Sequence, residues 1–192
     1  PRGMSSAASD VYKRQFINVP VLGLKANETL SKATIDWLWE SGEADQIGKH
    51  SSVLVGGSLI EGDYPQVNFD PAPKLKSGAW YVVTYNGTDR AGNSATFTLG
   101  RLFFDNIPPK ISGLYPPSNT FTNIAEVSYS SNESLSNGVF SWIPKDGSTP
   151  LEIALIGREL NEGTYGIGIL TNQTDLKDGL AYDLQIKAQD QA

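Results

Sequence analysis

The stretch Asn-Glu-Thr-Leu-Ser at residues 27–31 decides the fold, because the chain repeats it almost unchanged as Asn-Glu-Ser-Leu-Ser at residues 132–136. A tryptophan, Trp37 or Trp142, lies ten residues after the asparagine of each copy. A repeat period of about 100 residues is too long for a solenoid unit and matches a domain that encloses its own core. The sequence therefore predicts two tandem domains.

A second pair of matched segments extends the repeat. Leu-Ile-Glu-Gly-Asp-Tyr at residues 59–64 returns as Leu-Asn-Glu-Gly-Thr-Tyr at residues 160–165. The offset between the copies falls from 105 to 101 residues here, so one loop is four residues longer in the first copy. The repeated segments have the character of scaffold, and no repeated cluster has a catalytic pattern.

Short runs of alternating apolar and polar residues recur in both copies. The clearest lie at residues 35–39 and 80–85 in the first copy and at residues 139–143 and 181–186 in the second. Such alternation places one face of a strand on a core and the other in water. With Gly and Pro between the runs and no apolar run at helical spacing, the pattern predicts an all-β chain of two antiparallel β-sandwiches.

A leucine followed six residues later by a tyrosine occurs once in each copy, as Leu75 with Tyr81 and as Leu176 with Tyr182. This pattern resembles the tyrosine corner of Ig-like and fibronectin-III-like sandwiches. In such a corner the phenol packs in the core and its hydroxyl bonds back to the preceding turn. The alternative for both tyrosines is contact with a ligand.

The four tryptophans fall into two pairs. Trp37 and Trp142 occupy equivalent positions and are expected to fill the space between the sheets. Trp39 and Trp80 have no aromatic counterparts in the second copy. Alternation places Trp39 on the same strand face as Trp37, and it places Trp80 on the face opposite to Tyr81. Trp80 is therefore the better candidate for a contact surface, and Trp39 is the second candidate. The competing interpretation is that they shield an edge or a neighbouring domain.

Residues 5–15 resemble the translation of a sequencing-library adapter, and all eleven codons fit in frame. Residues 1–15 are therefore expected to be an artefactual or disordered leader. Repeat 1 is then expected to span residues 16–106 and repeat 2 residues 107–192. Superposing the copies places the first strand of repeat 1 inside the leader and the last strand of repeat 2 beyond residue 192. Each sandwich is predicted to lack one edge strand.

Composition narrows the function classes. The formal net charge is −6 at pH 7, which disfavours binding to nucleic acid or to an anionic membrane surface. No run of eighteen apolar residues occurs, so insertion into a membrane is not expected. The chain contains no cysteine, which excludes disulfides and cysteine-based metal or redox sites.

The segment Asp-Arg-Ala-Gly-Asn at residues 89–93 predicts a tight hairpin, because Gly92 and Asn93 tolerate positive φ and Asp caps its own turn. The competing hypothesis is a calcium site, since Asp, Asn and Glu oxygens are ligands for this hard cation. Its ligands would come from Asp89, Asp105, Asn106 and Glu133. No other cofactor is predicted.

Catalytic motifs are missing from the sequence. His50 is the single histidine and lies in a Gly- and Ser-rich loop without a nucleophile motif. No metalloprotease, P-loop or dinucleotide-binding pattern occurs. The sequence therefore predicts a protein that is not an enzyme.

Taken together, these segments resemble the tandem Ig-like repeats of very large secreted or surface proteins of bacteria. The motifs that carry the resemblance are Asp-x-Ala-Gly-Asn at residues 89–93 and the junction Phe-Asp-Asn-Ile-Pro-Pro at residues 104–109, and it covers residues 21–192.

The resemblance implies Ig-like or fibronectin-III-like sandwiches, an extracellular or cell-surface location, and a spacer or adhesive role. Its partners would be neighbouring repeats of the same chain and a surface glycan or protein. The alternative is an accessory carbohydrate- or polymer-binding sandwich of a secreted enzyme, with Trp80 or Trp39 as its stacking platform.

Overall fold

The computed structural model describes residues 13–168, 170–172 and 174–192, with residues 13 and 14 as backbone only. The chain divides between Ile107 and Pro108 into two compact units, one residue from the predicted boundary. We call them unit 1 and unit 2. The described residues form β-strands and two short 3₁₀ turns, so the all-β prediction is confirmed. No helix among them is long and apolar enough to cross a bilayer.

The described residues of unit 1, from residue 13 onward, form eight strands. Six form one sheet in the order β1-β8-β7-β3-β4-β6, and β2 and β5 form a second sheet. Leu24 of β2 and Tyr64 of β5 pack against the core of the larger sheet, which makes the unit a sandwich. The strand bounds are β1 (Lys13–Ile17), β2 (Leu24–Ala26), β3 (Leu30–Gly42), β4 (Lys49–Leu54), β5 (Gly62–Tyr64), β6 (Phe69–Asp70), β7 (Ala79–Asp89) and β8 (Ser94–Phe104).

In unit 2 the described residues, which leave out 169 and 173, form six strands in two three-stranded sheets, ordered β12-β11-β14 and β13-β10-β9. Its core draws on both sheets, with Tyr129 of β10 and Phe140 of β11 fully buried and their rings 5.4 Å apart. The strand bounds are β9 (Ile111–Tyr115), β10 (Ser128–Ser131), β11 (Leu135–Pro144), β12 (Leu151–Ala154), β13 (Gly163–Tyr165) and β14 (Tyr182–Asp190).

The repeated sequence produces the same strand registers in both units. Trp37 of β3 lies opposite Val83 of β7, and the equivalent Trp142 of β11 lies opposite Leu184 of β14. The small sheets also match, because β2 pairs with β5 in the register in which β10 pairs with β13. Five strands of unit 1, β2, β3, β4, β5 and β7, therefore have counterparts of matching register in unit 2, namely β10, β11, β12, β13 and β14.

The start of unit 1 differs from the expectation in two ways. Residues 13–15, which the sequence assigns to the leader, belong to β1. That strand pairs in parallel with β8, so the larger sheet is mixed and the prediction of purely antiparallel sandwiches is wrong here. The backbone of this segment supplies ladder hydrogen bonds whatever its side chains are, which explains how a sequence of leader type joins a sheet. Residues 1–12 lie outside the described part of the chain.

Equivalent tryptophans occupy the centre of each core, as the repeat predicts. Trp37 is fully buried and Trp142 is 3% exposed. Trp37 packs beside Phe69, with ring centroids 6.3 Å apart, and Trp142 meets the ring of Tyr182 edge-on at 6.2 Å. Each of these aromatic contacts joins two strands of one sheet, β3 with β6 in unit 1 and β11 with β14 in unit 2.

A 3₁₀ turn precedes the second repeated segment in each unit, at Gly56–Leu59 and Gly157–Leu160. Each turn carries one buried polar residue that sequence reasoning missed. In unit 1 the Ser58 hydroxyl accepts the Asn68 amide at 2.9 Å. In unit 2 the Glu159 carboxylate accepts the Ile156 amide at 2.8 Å and the Thr171 amide at 2.6 Å. Both side chains satisfy backbone donors in the interior.

Changing Glu159 to glutamine is expected to lower the free energy of unfolding of unit 2 by about 2 kcal/mol, because an amide keeps only one acceptor oxygen for two buried donors. Burial raises the pKa of Glu159, but the backbone hydrogen bonds outweigh it and lower the pKa overall. Its stabilising contribution is therefore present above the ordinary pKa and lost on acidification. Urea unfolding followed by hydrogen exchange in peptides from β11 and β14 measures the loss in unit 2 alone, with Glu152→Gln on the exposed strand face as control. Equal urea midpoints for the parent and Glu159→Gln would contradict the stabilising role of the Glu159 carboxylate.

Candidate functional site

An aromatic cluster lies on the outer face of the larger sheet of unit 1. Alternation along β7 buries Tyr81 and turns Trp80 outward. Trp80 lies opposite Phe103 of β8, and Phe103 lies opposite Phe16 of β1. The ring centroid of Phe103 is 5.1 Å from that of Trp80 and 5.4 Å from that of Phe16. We call these three rings, together with Arg101 and Glu40, the Trp80 patch.

A charged pair is built into the Trp80 patch. The Arg101 guanidinium carbon lies 4.8 Å from the centroid of the Trp80 ring, within cation–π range. The Arg101 Nε also donates to the Glu40 carboxylate on β3. Arg101 therefore lies between an aromatic ring and a carboxylate, and its position is fixed without a ligand.

The rings of the Trp80 patch do not form a flat platform. Trp80 and Phe103 are inclined by 51°, and Phe16 is inclined to them by 62° and 67°. Trp39, the other candidate, lies on the core-facing side, packs against the buried cluster, and donates its Nε1 to the Glu43 carbonyl at 3.0 Å. The two tryptophans thus lie on opposite faces, as alternation predicts, and share no surface.

The tyrosine corners form in both units. The Tyr81 hydroxyl accepts the Lys76 amide at 2.8 Å, and the Tyr182 hydroxyl accepts the Lys177 amide at 2.9 Å. Leu75 and Leu176 pack against the respective cores. These contacts support the structural role of both tyrosines rather than ligand contact.

A buried polar network strengthens the corner of unit 1. The Tyr81 hydroxyl donates to Asp45 Oδ2 at 2.5 Å, and His50 Nε2 lies 2.7 Å from the same oxygen. The Ile47 amide donates to Asp45 Oδ1 at 3.0 Å. The side chains of His50 and Asp45 are only 7% and 5% exposed. Asp45 lies in the loop that is longer in the first copy, so the extra residues of that loop supply the carboxylate.

The electrostatics of this network follow from its contacts. Burial raises the pKa of Asp45, but hydrogen bonds from Tyr81, His50 and the Ile47 amide outweigh it and lower the pKa from 3.8 to about 2. Burial and the neighbouring Asp45 raise the pKa of the Tyr81 phenol. A histidine–carboxylate pair can serve a nucleophile in an active site. Here the carboxylate accepts three donors in the interior, and the network joins the loop to β7.

The four candidate calcium ligands do not form one site. Asp89 and Asp105 lie at opposite ends of the β7–β8 hairpin, because Phe104 pairs with Ala79 at the far end from Asp89. At ~3.3 Å per residue, this separates the two carboxylates by about 30 Å. The prediction that they share an ion is therefore wrong. Among the described residues, no group of three or more His, Asp or Glu side chains is placed to hold a metal.

The carboxylates of Asp89 and Asp105 each have a local partner instead. Asp89 accepts the Asn93 amide and side chain, both at 2.8 Å, in a hairpin whose Gly92 has φ +90°. Asp105 accepts the Ser77 hydroxyl at 2.6 Å, and the Asn106 amide donates to that hydroxyl at 3.0 Å. Glu133 belongs to unit 2, where its carbonyl accepts the Ser131 hydroxyl at 2.6 Å. These contacts cap turns.

Sequence reasoning found Trp80 but missed the residues around it. Alternation along residues 101–104 would have placed Phe103 and Arg101 on one face. No local pattern links Phe16 to them, because that contact depends on the parallel pairing of β1 with β8. Asp45 was also missed, since its role depends on a loop that returns to Tyr81.

Comparison with known proteins leaves the family open. The sequence matches no protein-family model and no curated protein sequence. The duplicated sandwich and the Trp80 patch are therefore the features that bear on function.

Proposed function

We propose that the chain is a non-catalytic segment of tandem Ig-like repeats in a large secreted or surface-displayed bacterial protein, where it acts as a spacer and adhesion module. The supporting observation is that one sandwich plan appears twice with the same strand registers. The shared residues are those of the scaffold: the central tryptophan, the tyrosine corner and the 3₁₀ turn. A chain that repeats only its structural residues is suited to lengthening a protein, and the repeat does not supply the residues of a reaction cleft.

The spacer role is tested by placing the chain between a cell-surface anchor and a peptide tip. A Gly/Ser linker of the same residue number serves as control, since such a linker coils to a span of only ~5–6 Å × √n. We expect cells with the folded chain to capture several-fold more receptor-coated beads than cells with the linker. Equal capture would contradict the spacer role.

The alternative, a carbohydrate-binding accessory sandwich, is favoured by a single feature, the outward aromatic ring of Trp80 with a charged pair beside it. The inclination of the three rings opposes it, because successive sugar units of a polysaccharide need aromatic faces in one plane to stack on. Affinity electrophoresis in gels containing soluble polysaccharides distinguishes the two functions. We expect equal mobility for the parent chain and Trp80→Ala. Retardation of the parent that Trp80→Ala abolishes would instead support the carbohydrate-binding function.

A further inference from the structure

Two asparagines of the chain are followed directly by glycine, Asn86 in β7 and Asn137 in β11. This dipeptide has a chemistry of its own. The backbone nitrogen of a residue can attack the side-chain carbonyl carbon of an asparagine before it, and glycine has no side chain to hinder the attack. Whether either pair reacts in the folded protein depends on how firmly the asparagine is held.

Asn86 is held at both its side chain and its backbone. Its Nδ2 donates to Asp36 Oδ2 at 3.2 Å, and its Oδ1 accepts the Thr96 hydroxyl at 2.9 Å. Its backbone lies in the middle of two ladders, opposite Thr34 of β3 and Thr96 of β8. Ring closure at Asn86 would require the side chain to leave both partners and the backbone to leave both neighbouring strands.

Asn137 is held much less firmly. Its side chain is exposed on β11, and within the described part of the chain no hydrogen bond holds it. A register shift separates it from Leu135, so it lies beside a bulge near the start of the strand. Its backbone is opposite Gln189 of β14, whereas the ladder with β12 begins only at Val139. Because strand ends open more easily than strand centres, the Asn137 backbone leaves the extended conformation more often than that of Asn86.

Core packing explains why glycine follows Asn137. The Gly138 carbonyl accepts the Leu155 amide at 2.8 Å, and a Cβ at Gly138 would lie 2.5 Å from Leu155 Cδ1. A larger residue would have to displace this buried side chain, so the packing favours glycine. The core of unit 2 therefore places an unhindered backbone nitrogen directly after an exposed asparagine.

We propose that Asn137 is a site of self-modification, where the folded protein loses ammonia and gains a carboxylate, with water as the only co-reactant. The Gly138 nitrogen bonds to Asn137 Cγ to form a five-membered succinimide. The Cγ–Nδ2 bond breaks, and the Nδ2 group leaves as ammonia with the amide proton of Gly138. Water then opens the ring, giving aspartate by attack at Cγ and isoaspartate by attack at the backbone carbonyl carbon. This inference does not depend on the spacer role.

The two products affect unit 2 differently. Aspartate keeps the backbone of β11 and adds one negative charge at an exposed position. Isoaspartate routes the backbone through the former side chain and so adds one carbon to it, directly before Gly138. Since Gly138 is in close contact with Leu155, this added length disturbs a close-packed part of the core. Isoaspartate is therefore expected to loosen unit 2, whereas aspartate is not.

The test incubates the full chain at 37 °C and pH 7.5 for several weeks and follows both asparagines by peptide mapping with mass spectrometry. Trypsin separates them, since Asn86 falls in the peptide of residues 77–90 and Asn137 in that of residues 111–145. We expect Asn137 to convert at least tenfold faster than Asn86 in the folded chain. In concentrated urea, where neither is held, we expect rates within twofold of each other. An unmodified Asn137 in the folded chain, or equal folded-state rates at both positions, would overturn the proposal.

Two variants separate the reaction from its consequence. Asn137→Gln is expected to stop the conversion, because the longer side chain must close a six-membered ring, and the exposed position tolerates the change. Freshly purified Asn137→Asp carries the product charge without the added backbone carbon. We expect faster hydrogen exchange in β11 for the isoaspartate fraction of the aged parent and unchanged exchange for both variants. Equal exchange in the isoaspartate fraction and in Asn137→Asp would contradict the effect on the core. Conversion of residues 111–145 at the parental rate in Asn137→Gln would place the reaction at another asparagine and overturn the proposal.

Discussion

Replacing Trp37 with alanine is expected to lower the free energy of unfolding of unit 1 by about 4 kcal/mol. The side chain is fully buried. A tryptophan of this kind buries about 200 Å² of surface, which corresponds to about 5 kcal/mol at 25 cal/mol per Å². The cavity left behind also costs free energy, and Trp→Ala changes in cores cost about 3–5 kcal/mol. This is a large fraction of the stability of a small domain.

The matched control is Trp37→Phe, for which we expect a loss of only about 1 kcal/mol. Among the described residues, the indole Nε1 of Trp37 has no hydrogen-bond partner, and the same is true of Trp142. Phenylalanine keeps the aromatic packing and removes this unsatisfied donor. Hydrogen exchange measured by mass spectrometry follows each unit separately, and in Trp37→Ala the protection of peptides from β3 and β7 is expected to fall. An alanine variant as stable as the phenylalanine variant would contradict the central packing role.

Replacing Asp45 with alanine is expected to destabilise unit 1 by about 3 kcal/mol at pH 6, because it leaves the buried His50 and Tyr81 without their shared acceptor. The effect depends on pH. The folded pKa of Asp45, about 2, lies below its ordinary value of 3.8. Its contribution is therefore present above pH 3.8 and is lost as the pH falls toward 2. The difference in free energy of unfolding between the parent and Asp45→Ala is expected to narrow by about 2 kcal/mol over this range.

Urea unfolding between pH 6 and pH 2.5 measures this gap. In a Trp142→Phe background the remaining tryptophans, Trp37, Trp39 and Trp80, all lie in unit 1, so fluorescence follows that unit alone. Tyr81→Phe and Tyr182→Phe form a matched pair, because the hydroxyl of Tyr81 bonds to a carboxylate and an amide, whereas the contact described for Tyr182 is with an amide. Tyr81→Phe is expected to cost about 1–2 kcal/mol more. If the difference in free energy of unfolding between the parent and Asp45→Ala did not change with pH, the stabilising role of the ionised Asp45 carboxylate would be refuted.

Local patterns in the sequence predicted the parts of the fold that depend on local geometry. Alternation predicted the inward Tyr81 and the outward Trp80, and the leucine-to-tyrosine spacing predicted both corners. The equivalence of Trp37 and Trp142 followed from the repeat. The signals for the strand faces and for the corners lie within about ten residues, which is the range over which strand alternation and turn chemistry act.

The remaining features depend on contacts between distant segments. The parallel pairing of β1 with β8 joins residues more than eighty positions apart, and the residues in β1 carry no strand pattern of their own. Ser58 and Glu159 occupy equivalent positions in the two 3₁₀ turns, and each accepts a backbone hydrogen bond there. Because one is a hydroxyl and the other a carboxylate, comparing the two copies does not show that they share this role. Asp45 reaches Tyr81 through a loop without regular structure. Such contacts are set by how the chain returns on itself, which no local period encodes.

The parallel pairing of β1 with β8 also determines how unit 1 responds to mechanical tension. Because the two strands run in the same direction, a pull on the start of β1 and on the end of β8 slides one strand along the other. All of the hydrogen bonds between them then carry the force together and must break at once. An antiparallel hairpin pulled at its open end would instead unzip one bond at a time. The β1–β8 pair of unit 1 is therefore loaded in shear, the geometry in which a strand pair resists stretching most strongly.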